Sequence, residues 1–157
     1  MCQYCGCRAV PLIRDYIAEH DDVLDLLDSA LRAIAVDDLD RAVAGVHEAR
    51  EALTRHWAGE ENGIFTVMAA RDDEYARYVA PLVEEHRELE HFLAHVDLSV
   101  KQGQADLRTA FEELKEHISK EEDGLFPASL TALDGDDWNT SMAAWQDAHP
   151  SERMLSD

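Results

Sequence analysis

Positive charge is scarce in this sequence. Its 157 residues include 14 Lys and Arg against 34 Asp and Glu, which gives a formal net charge of -20 at pH 7. A protein with that charge is repelled by the phosphates of nucleic acids and by anionic membrane surfaces. We therefore expect no nucleic acid and no membrane among its partners.

Long apolar runs are also missing. No stretch approaches the roughly 20 apolar residues that a transmembrane helix requires. The N-terminus, MCQYCGCR, has no basic region followed by an apolar stretch, as a secretion signal would have. Apolar residues still make up 46% of the chain, which is enough to build the core of a globular protein. These features predict a cytoplasmic protein.

Glycine and proline number only 7 and 4, and they are sparse between residues 12 and 126. Apolar residues there recur in steps of three and four, the period of an amphipathic helix. We predict an all-α protein, an antiparallel up-down-up-down four-helix bundle with a short C-terminal helix. The four segments cover residues 11–36, residues from 37 or 38 onward, residues from 73 onward with Pro81 starting or kinking the helix, and residues after a break at 101–104. The last segment ends at Pro127, and the short helix covers 136–149.

Two internal repeats give the chain an approximate twofold pattern. HWAGEENGIF at 56–65 returns as HISKEEDGLF at 117–126, and AEHDDVLDLL at 18–27 resembles EEHRELEHFL at 84–93. The pattern predicts two related helical hairpins, since short connections join antiparallel neighbours. We divide the chain into a cysteine-bearing segment (1–10), the bundle (11–127) and a C-terminal tail (128–157).

Polar residues interrupt the apolar stripes of all four segments. Three of the four histidines are followed at i+4 by a glutamate, and such pairs share one helix face. The set is His20, His56, Glu60, His86, Glu90, His117 and Glu121. Burying groups of this kind without partners costs about 1–3 kcal/mol for each neutral group and more for each carboxylate. Salt bridges to protonated histidines could compensate part of this cost, but imidazoles and carboxylates are also natural metal ligands. We favour a metal centre.

The other histidines lie elsewhere on the helices. His91 and His95 form an HxxxH pair, but they fall outside the apolar stripe, and His47 does too. We predict that all three are surface residues. Glu61 and Glu122 directly follow two of the proposed ligands, so they are either surface residues or partners of the ligands.

The repeated HxxxEE…(I/L)F pattern resembles the hemerythrin-like, or HHE cation-binding, family of non-haem di-iron four-helix bundles over residues 12–127. The resemblance implies two iron ions bridged by Glu60, by Glu121 and by an oxo or hydroxo group. The remaining ligands would be His20, His56, His86, Glu90 and His117.

Two features depart from the oxygen-carrying members. Those proteins have a histidine where this chain has Glu90, and a more distant aspartate where Glu121 follows His117 at i+4. The extra carboxylate should stabilise ferric iron, so we expect oxygen to oxidise the centre rather than bind reversibly. Seven side chains and one bridge leave about one open position on two six-coordinate ions. By the resemblance, O2, peroxide, NO or azide would occupy it.

Cys2, Cys5 and Cys7 form a CxxCxC cluster. They are a tail of free thiols, a small zinc or iron site, or a redox-active thiol pair. His149 could provide the fourth ligand of such a metal site if the termini meet.

Three functions fit these features. The leading one is a protein that binds or senses O2, peroxide or NO, with a role in iron handling as an extension. The second is an enzyme, with peroxidase, catalase-like or NO-reducing activity or an iron–sulfur repair role, in which the cysteines act as redox partners. The third is a bundle that holds a non-redox metal. The sequence does not indicate an oligomeric state.

Overall fold

The computed structural model describes residues 6–155, except for the side chain of Cys7. All regular structure in this range is helical, which confirms the all-α class. A 3-10 turn (Cys7–Ala9) precedes α1 (Ile13–Ala35), α2 (Leu39–Asn62), α3 (Ile64–Arg71), α4 (Asp73–His95) and α5 (Lys101–Lys120). A π-helical turn (Glu121–Leu125), α6 (Phe126–Ala132) and α7 (Gly135–Ala148) follow.

The four long helices, α1, α2, α4 and α5, correspond to the four predicted segments. Asp38 caps α2, as expected, and its side chain accepts a hydrogen bond from the Arg41 N–H at 3.2 Å. Asp72 caps α4 in the same way by accepting from the Glu74 N–H at 2.7 Å. Pro81 lies inside α4 and does not start it. The cap at Asp72 therefore determines where this helix begins.

The predicted break at residues 101–104 is wrong, because these residues form the first turn of α5. The preceding chain folds closely over this turn. The Gln104 side chain donates to the Leu98 carbonyl at 2.9 Å, and Gly103 lies directly against the Asp97 carbonyl. Gly103 allows this close approach, so here a glycine marks tight packing and not the end of a helix.

The two copies of the repeat end differently. After Glu60, α2 stops at Asn62, and Gly63 begins a new helix in a changed direction (φ −112°, ψ −108°). After Glu121 the helix widens into the π turn, and the Phe126 N–H donates to the Glu121 carbonyl. The Tyr78 hydroxyl donates to the Lys120 carbonyl at 2.7 Å. Insertions of this kind often occur at functional sites in helices.

The core consists of two apolar clusters with a polar layer between them. The Leu27 cluster contains Val23, Leu27, Leu53, Leu93, Leu107 and Leu114, among others. The Tyr16 cluster contains Tyr16, Phe65, Met68, Leu82, Leu125 and Phe126, among others. Helices α1 and α4 contribute to both clusters. Helices α2 and α5 contribute to the Leu27 cluster, and the chain that follows each of them, at Ile64 and at Leu125, contributes to the Tyr16 cluster. The buried polar groups are therefore held on two sides by apolar packing.

Helix α7 packs against α2 and α3. Gly63, which separates α2 from α3, allows this contact, since a Cβ atom there would lie 3.1 Å from the Ser141 carbonyl oxygen. Trp145 is 2% exposed. Among the described helices, none combines the length and apolar character needed to cross a lipid bilayer.

We expect Gly103→Ala to lower the free energy of unfolding by about 1–3 kcal/mol, because its Cβ would overlap a backbone carbonyl. Alanine at an unhindered helix position normally stabilises, by about 0.5–1 kcal/mol. Gly135→Ala is the matched control, since nothing lies within 4 Å of its Cβ position. Urea unfolding followed by circular dichroism measures both. Equal stability of the two variants would contradict the close contact at Gly103.

Candidate metal centre

Each long helix places one histidine in the polar layer. His20 lies on α1, His56 on α2, His86 on α4 and His117 on α5, and none is more than 6% exposed. Glu60 and Glu121 lie four residues after His56 and His117 and are 0% exposed. The i, i+4 spacing therefore brings imidazole and carboxylate to the same buried layer, as predicted.

These six side chains form two groups that share a residue. His20, His56, Glu60 and Glu121 each offer one atom within 4.8 Å of the others, and so do His86, His117 and Glu121. Glu121 reaches both groups, because Oε2 lies 3.1 Å from His20 Nε2 and Oε1 lies 2.9 Å from His117 Nε2. Glu60 Oε2 lies 3.2 Å from His56 Nε2 and 3.7 Å from His86 Nε2. The arrangement can hold two cations side by side.

The Nδ1 atom of each of the four layer histidines faces away from the layer and contacts a carboxylate outside it. The Nδ1 atoms of His20, His56, His86 and His117 lie 3.0, 2.6, 2.9 and 2.7 Å from Glu122, Glu19, Glu61 and Glu85. An ionised carboxylate only accepts hydrogen bonds, so each Nδ1 donates its hydrogen outward. In a neutral imidazole the Nε2 lone pair then faces the layer.

Acceptor atoms therefore face one another at the centre. The Nε2 atoms of His20 and His56 are 3.0 Å apart, and those of His86 and His117 are 2.9 Å apart. The oxygens of Glu60 and Glu121 are buried, and despite their short contacts they make no hydrogen bond of good geometry. Lone pairs at these distances repel unless a cation or extra protons lie between them. This donor set fits metal ions held through Nε2 and carboxylate oxygens.

A comparison with known protein families matches the part of the chain that contains the repeats. A family model, the hemerythrin HHE cation-binding domain, matches residues 12–129. The chain belongs to the hemerythrin family. No curated protein and no solved structure matches the chain significantly. The buried histidines and glutamates are those expected of a cation-binding member of the hemerythrin family.

The repeats of this hemerythrin-family protein extend beyond the inner layer. Glu19 and Glu85 each precede a layer histidine, and Glu61 and Glu122 each follow a layer glutamate. The Phe at the end of each repeat also has a defined place. Phe126 stacks on His20 at 6.1 Å between ring centroids, and Phe65 stacks on His86 at 5.5 Å. The sequence interpretation missed Glu19 and Glu85, although the paired Glu-His dipeptides could have indicated them.

The carboxylates outside the layer are held by different partners. Glu19 accepts from the Trp145 indole N–H at 2.5 Å and lies 3.4 Å from His149 Nε2. Glu122 pairs with Arg8 at 2.7 Å, and Glu85 pairs with Lys120 at 2.5 Å. Such outer contacts fix the orientation of metal-binding imidazoles. Helix α7 and the N-terminal turn therefore support the two histidines from α1 and α2.

Glu90 is not brought to the layer. It pairs with Arg50 of α2 at 2.9 Å, and both side chains are more than one-third exposed. Among the four long helices, the residue four positions after the histidine lies in the layer only for α2 (Glu60) and α5 (Glu121). On α4 the same step leads toward the Leu27 cluster, and the equivalent residue on α1 is Leu24. Glu90 therefore shares the i+4 spacing of Glu60 and Glu121, but this spacing alone did not show that its side chain lies outside the layer.

The remaining predicted residues lie apart from the layer. His149 is buried, and its Nδ1 lies 2.8 Å from the Trp145 carbonyl. Cys2, Cys5 and the side chain of Cys7 fall outside the described part of the chain, so the thiol site stays a prediction. His47, His91 and His95 are exposed, which confirms them as surface residues.

We expect Glu121→Gln to abolish stoichiometric binding of two metal ions, because this carboxylate belongs to both groups. Glu90→Gln should leave the metal content unchanged, since its only described partner is Arg50. Elemental analysis of the purified variants against the wild type measures both effects. Loss of one ion from Glu90→Gln would show that Glu90 binds metal after all.

Without metal, the stability of the protein should depend on pH. Burial alone would lower the pKa of His117, but the charge of Glu121 and hydrogen bonds to Glu121 and Glu85 raise this pKa to about 9. An unfolded histidine titrates near pH 6.5. The proton on His117 therefore stabilises the fold fully below about pH 6.5, and this contribution disappears as the pH rises through about 9. Thermal unfolding across this window should show a falling midpoint for chelator-treated protein.

Metal-loaded protein is the control for this pH dependence. Coordinated imidazoles are neutral and release their protons when metal binds. The midpoint of the loaded protein should therefore not fall across the same window. A similar fall with and without metal would place the responsible proton elsewhere.

Proposed function

We propose that this hemerythrin-family protein holds two iron ions and uses them to bind or sense O2, peroxide or NO. The observation that carries the proposal is Glu121, whose two oxygens point to two different histidine pairs. A carboxylate in that place naturally bridges two cations. The negative charge of the two buried glutamates also favours two ions over one, since without metal only protons on the histidines balance it.

The donor set supports iron. Imidazole and carboxylate together suit iron, whereas a site for zinc alone more often includes thiolates and closes at four ligands. One ion would be held by two imidazoles, Glu60 and Glu121, and the other by two imidazoles and the shared Glu121. Because Glu90 lies outside the layer, this count leaves more open positions than the seven-ligand set did. Iron in this layer would supply redox chemistry and room for a small exogenous ligand.

The chain's own residues maintain the conditions for such binding. The four outer carboxylates hold the imidazoles with Nε2 inward and increase their basicity. The two apolar clusters limit access of bulk water. Tyr16 packs edge-on against His56 at 5.4 Å, and its hydroxyl is buried without a hydrogen-bond partner among the described residues. Burial, followed by the charge of Glu60, raises the pKa of Tyr16 well above its usual value, so it remains a hydrogen-bond donor.

We also propose that the four long helices alternate in direction. The connections at 36–38 and 96–100 are short, which favours antiparallel neighbours. Along α1 the chain passes from the Tyr16 cluster to the Leu27 cluster, whereas α2 packs in the Leu27 cluster and leads into α3, which belongs to the Tyr16 cluster. Helix α4 likewise passes from the Tyr16 cluster to the Leu27 cluster, and α5 leads from the Leu27 cluster into the π turn, where Leu125 belongs to the Tyr16 cluster. This alternation supports the up-down-up-down arrangement.

Spectroscopy of the purified protein tests the proposed function. Protein loaded with about two ferrous ions and exposed to air should develop near-ultraviolet absorption that shifts when azide is added. Zinc-loaded protein should remain colourless, and Glu121→Gln should show neither the stoichiometry nor the azide shift. Protein that holds only zinc or manganese, with no azide-sensitive spectrum after iron loading, would contradict the proposal.

A further inference from the structure

A cavity of about 490 Å³ lies between α4 and α5 and reaches the polar layer. Its inner end includes His86 and His117, so it adjoins one of the two histidine pairs. A water molecule takes up about 30 Å³ in the liquid, and diatomic molecules are of similar size. The cavity is therefore much larger than O2, NO or peroxide requires. It is within the range of about 300–1,000 Å³ that sites for small organic molecules occupy.

Apolar and aromatic side chains form the inner wall of this cavity. They include Trp57 from α2, Leu89 and Phe92 from α4, and Leu114 from α5. Trp57 and Leu114 are buried, and Trp57 stacks on His86 with 4.9 Å between ring centroids. A wall of this kind can hold the apolar body of a ligand. Aromatic faces also attract ammonium groups.

Carboxylates surround the mouth of the cavity. Glu88, Asp106, Glu113 and Glu116 line it together with Glu85, and Lys120 is the only lysine or arginine among the described lining residues. Lys120 is already paired with Glu85. Glu88, Glu113 and Glu116 form no ion pair within residues 6–155. The mouth would therefore attract a cation and repel an anion.

The equivalent groove between α1 and α2 has a similar volume, about 550 Å³, but a different lining. Gly45 lets α1 pack closely there, since its Cβ would lie 3.2 Å from the Ala30 Cβ. Asp106 lies at the equivalent place on α5, eleven residues before its histidine, as Gly45 is before His56. The α1–α2 groove is lined by no aromatic residue and by none of the four layer histidines within the described chain. The opening beside His86 and His117 is thus specific to one half of the protein.

We propose that the α4–α5 cavity binds a small organic cation with an apolar body, such as an arylalkylammonium ion, beside the His86–His117 pair. The apolar body lies against Trp57, Phe92 and Leu114, and the ammonium group lies among the carboxylates at the mouth. The binding site is made of protein side chains alone. It does not depend on the iron proposed above.

Three ligands of similar shape and different charge test this proposal. Calorimetric titrations of the purified protein at low ionic strength would use 2-phenylethylammonium, 2-phenylethanol and 3-phenylpropanoate. We expect the cation to bind at least about 10-fold more tightly than the alcohol, and the anion to bind most weakly. Repeating the titrations after iron loading separates the two proposals, since binding of the cation by protein that holds no iron would leave this inference intact.

Paired variants distinguish the cavity from the general acidity of the surface. E113Q combined with E116Q should weaken binding of the cation about 3- to 10-fold and leave the alcohol unchanged. The control is E48Q combined with E51Q, which removes the same charge from the α1–α2 groove and should change the affinity less than about twofold. Similar losses from both pairs would overturn the proposal.

A second pair of variants tests the location of the apolar body. Thr109 is exposed at the cavity, eight residues before His117, and Glu48 holds the equivalent place before His56. T109W should weaken both the cation and the alcohol at least about 5-fold by occupying the cavity, whereas E48W should not. The proposal is wrong if the alcohol binds as tightly as the cation, if T109W has no effect, or if none of the ligands binds at millimolar concentration.

Discussion

The repulsion among acceptor atoms in the polar layer is the constraint on which the rest of this structure depends. Four Nε2 atoms and the oxygens of Glu60 and Glu121 converge between two apolar clusters, on side chains at most 6% exposed, so water compensates them little. The outer carboxylates make the arrangement stricter, because they hold the Nδ1 hydrogens and leave lone pairs inward. Only cations or added protons can satisfy such a layer, and membership in a cation-binding family agrees with this requirement.

The inner layer is nearly twofold symmetric, but its surroundings are not. Helix α7 covers one half, where Trp145 and His149 reach Glu19, and Arg8 reaches Glu122. Within residues 6–155, the other half has Lys120 beside Glu85 and opens to the α4–α5 cavity. Symmetry therefore sets the identity of the donor atoms, whereas the asymmetric surroundings determine which histidine pair a molecule from solution can approach.

Much of the site could be predicted because helical spacing and burial cost act locally. The layer residues on all four helices and the cap at Asp38 follow from such rules. The errors arose where a rule about spacing along one helix could not show how that helix packs against its neighbours. Glu90 has the spacing of Glu60 but lies on a helix where that step leads away from the layer, toward Arg50. Residues 101–104 contain a glycine that serves close packing instead of ending a helix.

The sequence by itself determined the helical class, the family and the six side chains of the layer, because repeated spacings and stranded polar residues carry that information along the chain. Only the tertiary structure decided which carboxylate faces each Nδ1 atom, that α7 supports Glu19, and that a cavity opens beside His86 and His117. These features depend on distances between helices. Those distances follow from pairs such as Gly45 and Ala30, whose contact no single segment specifies.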